Sequence, residues 1–76
     1  MTDAEIEFLY SVGRKIAMLR KKQGYSQLDV CAKIQMEKSN LSSIENGRQN
    51  FTTLTLLKIA QAINVDVKEF FEITEL

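Results

Sequence analysis

Apolar residues recur every three or four positions early in the chain. Ile6, Leu9, Val12, Ile16 and Leu19 fall on one face of a helix predicted over about Asp3–Lys22. Asp3, Glu5 and Glu7 lie at its start and Arg20, Lys21 and Lys22 at its end, which suits the helix dipole at both termini. Gly24 then offers the left-handed residue that commonly follows a helix. Ser26 and Asp29 have the spacing of a capping box, with Asp in place of the usual Glu or Gln, and open a second helix with Val30, Cys31 and Ile34 on its inner face. A third helix is predicted from Glu37 or Lys38 to Asn46, with Leu41 and Ile44 inward and Gly47 closing it. Only Gln35, Met36 and Glu37 separate the second helix from the third, so the two must cross at a steep angle.

The stretch Asn50–Leu56 alternates Phe51, Thr53 and Thr55 with other residues and has the β-branched content of a strand. Length decides for helix: Leu56, Ile59, Ala60 and Ile63 continue the helical spacing, Thr52 or Thr53 can cap the start, and Asn64 can take a left-handed stop. Asp66 and Glu69 form another capping-box-like pair, opening a last helix through Phe70, Phe71 and as far as Ile73. The pattern therefore predicts an all-α chain of five helices without a sheet. No Gly/Ser linker, repeat or low-complexity segment interrupts it, so residues 1–76 read as a single domain.

At 76 residues, one small core is all the chain can bury, about 60% of the unfolded surface at this size. With no His and one Cys, zinc sites, histidine-based triads and disulfide frameworks lack their ligands, and no metal, cofactor or catalytic role is expected. A lone thiol suits a reducing compartment. There is no basic leader and no apolar run near the roughly 18 residues of a membrane span, so a soluble cytoplasmic protein is expected, without a membrane partner. The ten Lys and Arg balance ten Asp and Glu, which argues at first sight against a nucleic-acid binder. The balance is an average. Residues 1–13 carry −3, residues 14–48 hold eight bases against three acids for +5, and residues 49–76 carry −2.

The run Val12-Gly13, Leu19-Arg20, Gly24-Tyr25-Ser26-Gln27, Leu41-Ser42-Ser43-Ile44-Glu45-Asn46-Gly47 and Leu56-Leu57-Lys58-Ile59-Ala60-Gln61-Ala62-Ile63 resembles the Cro/C1-type helix-turn-helix proteins, over about residues 12–71. The resemblance implies a compact five-helix, lambda-repressor-like domain with the helix-turn-helix at about residues 26–46. It also implies sequence-specific binding of double-stranded DNA by a small dimeric regulator, similar to phage repressors and restriction-modification controller proteins. Three positions depart from the family pattern, one of them Thr53, which stands where an apolar residue is common and shifts the expected start of the fourth helix. Cys31 stands where Ala is usual, and Gln35 where Gly is usual in the turn, at a cost of about 1–2 kcal/mol if that residue is left-handed.

In such a unit the third helix enters the major groove, where each base pair shows its own donor and acceptor pattern. By family position Lys38 is the leading base reader, with Ser39 and Ser43 also facing bases, and Asn40 can either bond an adenine in a bidentate way or touch a phosphate. Without the resemblance these polar positions would read as an ordinary solvated face. Gln27, Asn46, Arg48 and Asn50 match positions that touch the phosphate backbone, and Lys22 and Lys33 are further cations nearby. Arg20 and Glu45 match a structural ion pair joining the first and third helices. Glu37 has two readings, capping the third helix, which is preferred, or accepting from a cytosine amino group. Cys31 is expected in the core.

Family members usually dimerise on palindromic operators, and no small-molecule ligand is expected for this chain. Phe70, Phe71, Ile73 and Leu76 are the expected homodimer surface, with Phe70 also able to pack on the fourth helix. Phe8 and Tyr10, off the apolar stripe of the first helix, are a second candidate. The competing reading is a protein-interaction module of the same fold, antitoxin-like or coactivator-like, in which DNA binding is secondary.

Overall fold

The computed structural model describes residues 1–72. Three of the four α-helices start on short-range capping chemistry written into the chain. In α1 (Asp3–Lys22), the Thr2 hydroxyl accepts the Glu5 N–H at 3.2 Å while the Glu5 carboxylate accepts the Thr2 N–H at 2.8 Å. The same reciprocal pair opens α2 (Gln27–Ile34) between Ser26 and Asp29, at 3.0 and 2.8 Å. Those bonds from the Ser26 backbone and hydroxyl hold the Asp29 carboxyl below its ordinary value. Thr52 caps α4 (Thr53–Ile63) through the Thr55 N–H at 3.1 Å, which settles the strand-like stretch as helix.

Stops follow the same logic. Gly24 (φ +89°) and Gly47 (φ +71°) follow α1 and α3 (Lys38–Glu45), and Asn64 (φ 61°) ends α4. Gln35 ends α2 in the left-handed region, at φ 56°, although it carries a Cβ. The turn recovers a bond from the Met36 N–H to the Cys31 carbonyl at 3.1 Å and packs Met36 against the core.

Two predicted features come out differently. The last element is a five-residue 3-10 helix, Val67–Phe71, started by Asp66, so the described residues hold four α-helices and one 3-10 helix. Three residues per turn put Val67 and Phe70 on the same side, half-buried and buried respectively, which plants Phe70 in the core within a very short segment. Ile6, expected on the inner face, is exposed. At 20 residues α1 is far longer than the eight-residue helices packed beside it, and its buried face begins only at Leu9.

One core takes side chains from every element: Val12, Ile16 and Leu19; Val30 and Cys31; Leu41 and Ile44; Leu56, Ile59 and Ile63; and Phe70. Phe70 is 2% exposed and is core, not dimer surface. Cys31 is buried among these residues, and burial pushes its thiol pKa up, away from reactivity. Against this core α3 approaches α1 closely at Gly13. A Cβ there would collide with the backbone carbonyl oxygen of Ile44 and stand 2.7 Å from that of Glu45.

Gly13→Ala therefore sets two effects against each other. Helix propensity favours Ala by about 1 kcal/mol. The collision is with backbone that cannot swing aside, and such overpacking costs about 1–3 kcal/mol or more. The melting temperature of Gly13→Ala is expected to fall, and a rise would contradict the close approach of α1 and α3.

Candidate nucleic-acid interface

α3 is too short to hold itself as a helix in water, so its orientation must come from what it packs against. Leu41 and Ile44 anchor its inner face, and Glu45 anchors its end. Glu45 is 2% exposed and its carboxylate is fully engaged. Arg20 grips it with two bonds, Nε to Oε2 at 2.7 Å and Nη2 to Oε1 at 3.0 Å, and Gln27 adds Nε2 to Oε1 at 2.9 Å. The remaining Arg20 arm donates to the Tyr25 carbonyl at 2.9 Å. The end of α1, the first turn of α2 and the end of α3 therefore meet on a single carboxylate, and the loop after α1 is tied to the same guanidinium. Among the described residues no buried side-chain nitrogen or oxygen lacks a partner.

This anchoring leaves the other end of α3 to solvent. Lys38, Ser39 and Asn40 form its exposed first turn, with Ser43 half-buried one turn beyond Ser39. Neither the Lys38 nor the Arg48 side chain has a hydrogen-bond or ion-pair partner among the described residues. The N-cap is Glu37, whose side chain makes no capping bond. The first N–H groups of α3 therefore point outward without an internal acceptor, a local positive potential suited to an anion.

The side chains matched to backbone contacts divide. Arg48 and Asn50 are exposed after α3. Asn50 Oδ1 accepts the Phe51 N–H at 2.8 Å, and its Nδ2 has no partner among the described residues, which leaves it free to donate. Asn46 is exposed but its amide bends back to the Ser42 carbonyl at 2.8 Å, closing the end of α3. Gln27, half-buried, directs Nε2 inward to Glu45. Lys33 is spent on the scaffold: Nζ donates to the Ala62 carbonyl at 2.9 Å and sits 4.0 Å from the centre of the Tyr25 ring.

Sequence reasoning missed three features. The Gln27 link to Glu45 and the Lys33 link to α4 join residues far apart in sequence and leave no local signal. Between α1 and the 3-10 helix, Phe8 and Phe71 stack with ring centroids 6.4 Å apart, 54% and 48% exposed, over a groove that also takes in Met18. Tyr10, with Arg14 over its ring at 6.0 Å, shows the one signal that could have been read, an aromatic and a cation four residues apart on a helix. Ile73 and Leu76 lie outside the described residues.

A family model described as helix-turn-helix matches residues 16–70. The chain is 36% identical over 64 residues to the competence pilus inhibition repressor of Acinetobacter baylyi, covering 84% of this chain and 58% of that protein's length. It is 36% identical over 72 residues to the control protein C.MunI of a Mycoplasma species, covering 93% and 92% of the two chains. Among solved structures, the restriction-modification controller protein C.AhdI from Aeromonas hydrophila is 27% identical with a TM-score of 0.79, covering 83% and 96%. The controller protein C.Esp1396I, solved as a tetramer with its natural 35 base-pair operator, is 25% identical with a TM-score of 0.72, covering 86% and 96%.

Removing one member of the buried pair leaves the other charge uncompensated. Glu45→Gln or Arg20→Met should therefore cost about 3–5 kcal/mol in chemical denaturation. A loss under about 1 kcal/mol, the range of surface pairs, would contradict the buried anchor.

Proposed function

This chain belongs to the helix-turn-helix family, in its Cro/C1-type branch, and from that premise we propose that it binds duplex DNA sequence-specifically as a small dimeric transcription regulator with α3 in the major groove. The observation that carries this reading is the two-ended construction of α3. Its last residue is locked by Arg20 and Gln27, and its first turn stands open with Lys38, Ser39 and Asn40 exposed.

Lys38 donates to guanine O6 and N7, and Ser39, Asn40 and Ser43 complete the base-facing set. Arg48 and the free Nδ2 of Asn50 contact phosphates and set the register without reading sequence. Gln27 and Asn46 belong to the same backbone-facing rim. Their amides are partly committed inside the protein, so their main effect is to hold the helix ends where the backbone N–H groups meet phosphate. The +5 charge of residues 14–48 draws this face toward DNA, and the acidic ends disfavour the opposite docking.

The dimer surface in this reading is the stacked pair Phe8 and Phe71 with Met18 beside it. An apolar patch of this kind on a small domain fits a contact between two copies. Two copies bring two third helices to successive turns of a palindromic operator, which compensates for the few base pairs one helix reaches. The names of the relatives, a repressor and a control protein, support a binding protein, not an enzyme.

About six neutralised phosphates per dimer give a slope near −5 for log affinity against log salt. A flat dependence, or no sequence preference in selection from random duplexes, would instead support the protein-interaction module. In the same assay Lys38→Ala should relax preference at one base pair by about 1–3 kcal/mol, whereas Arg48→Ala should weaken all duplexes alike. Identical behaviour would overturn the division between readers and positioners. Phe71→Ser should shift sedimentation equilibrium toward the monomer with the fold retained, because Phe71 lies outside the core. An unchanged dimer mass would remove this face from the interface.

A further inference from the structure

Four of the five helical N-termini among the described residues are closed by a side chain suited to the task. Thr2, Ser26, Thr52 and Asp66 each accept a first-turn backbone N–H at 3.0–3.2 Å. α3 differs. Its N-cap is Glu37, which makes no capping bond and is exposed. Glu serves poorly there, because its extra methylene carries the carboxylate past the N–H groups that Asp, Ser or Thr reach. The chain uses the better choice, Asp66, before its 3-10 helix. The Glu37 carboxylate has no hydrogen-bond or ion-pair partner among the described residues. The Glu37 backbone is held nonetheless, its carbonyl accepting from Asn40 and Leu41 at 3.0 and 3.2 Å. A fixed Cα thus carries an uncommitted acceptor at the leading edge of the helix, next to the uncommitted donor Lys38.

The geometry points to Glu37 as a specificity-determining residue whose carboxylate accepts a hydrogen bond from the N4 amino group of a cytosine in the major groove. The proposal rests on the DNA-binding reading above. Selectivity comes largely from rejection. Guanine and thymine present acceptors that repel a carboxylate, and adenine sets the N7 acceptor beside its amino group, while cytosine's own edge presents the amino donor alone, with the acceptors of the pair on the guanine side. A carboxylate at this place also repels phosphates and weakens binding to every duplex. That penalty is offset only where a cytosine partner is present, so the charge trades general affinity for discrimination. Glu37 stands at the N-cap, as its sequence position suggests, but its side chain makes no capping hydrogen bond.

The test compares wild type, Glu37→Gln and Glu37→Asp against a duplex selected by the wild type and its complete series of single base-pair substitutions. Wild type is expected to lose about tenfold or more when one particular C·G pair is changed. Glu37→Gln should bind the duplexes that lack this cytosine more tightly, gain little or nothing on the selected duplex, and so lose that discrimination or move it to adenine. Glu37→Asp keeps the charge, but its shorter side chain turns back to cap α3. It should raise the melting temperature and also lose the discrimination. The proposal is overturned if both variants keep the wild-type preference at every base pair, or if they change affinity for all duplexes by one common factor. A wild type that selects no sequence would bring down the DNA-binding reading itself, and this inference with it. That result is distinct from one in which a site is selected and Glu37 proves indifferent to it.

Discussion

The carboxylate of Glu45 is the point on which the arrangement depends. A charge this deeply buried is tolerated only when paired and fully hydrogen-bonded, and Arg20 and Gln27 supply three donors. The donors come from α1 and α2, so satisfying one charge fixes the end of α3 against both. Nothing guarantees that such a pair is more stabilising than apolar residues of the same volume would be. What it adds is direction, since a bidentate grip on one carboxylate admits a single orientation of the guanidinium. Gly13 lets α3 come close enough for the grip to form, with its final carbonyls against the α1 backbone.

From this follows a division of labour within eight residues. From Leu41 onward α3 belongs to the scaffold, through Leu41, Ile44 and Glu45, and its first three residues are left polar, exposed and without a side-chain cap. Uncapped N–H groups lower stability locally, and proteins commonly give up stability at functional sites. Formal neutrality of the whole chain conceals the same separation. Charge on residues 14–48 is positive, and within that segment Lys38 and Arg48 remain uncommitted while Arg20 and Lys33 serve internal bonds. Fixed, outward positive groups near a rigid helix suit recognition better than a diffuse basic surface, whose attraction is screened by salt and carries no sequence information.

What could be read from sequence was set by range. Capping bonds span three residues, so Ser26 with Asp29 and Asp66 with Glu69 were legible, as were the left-handed stops at Gly24 and Asn64. The Arg20 to Glu45 pair spans 25 residues and entered only through family resemblance, since no local pattern specifies it. Gln27 to Glu45 and Lys33 to Ala62 span 18 and 29 residues and were not anticipated in any form. Periodicity placed Ile6 correctly on the apolar stripe but could not reveal that no partner helix extends that far. The last segment was recognised as helical, but five residues leave little to distinguish an α turn from a 3-10 turn. There the packing of Val67 and Phe70 decided.

The central claim is that the open first turn of α3, held from its far end by Glu45, is the surface that meets DNA. Titrating isotope-labelled protein with a selected duplex and following backbone amide resonances tests it most directly. The account predicts the largest changes at Lys38 and Ser39, whose N–H groups lack internal acceptors, with further changes at Arg48 and little at Phe8 or Met18. Changes concentrated on Phe8, Met18 and Phe71, with α3 undisturbed, would contradict it.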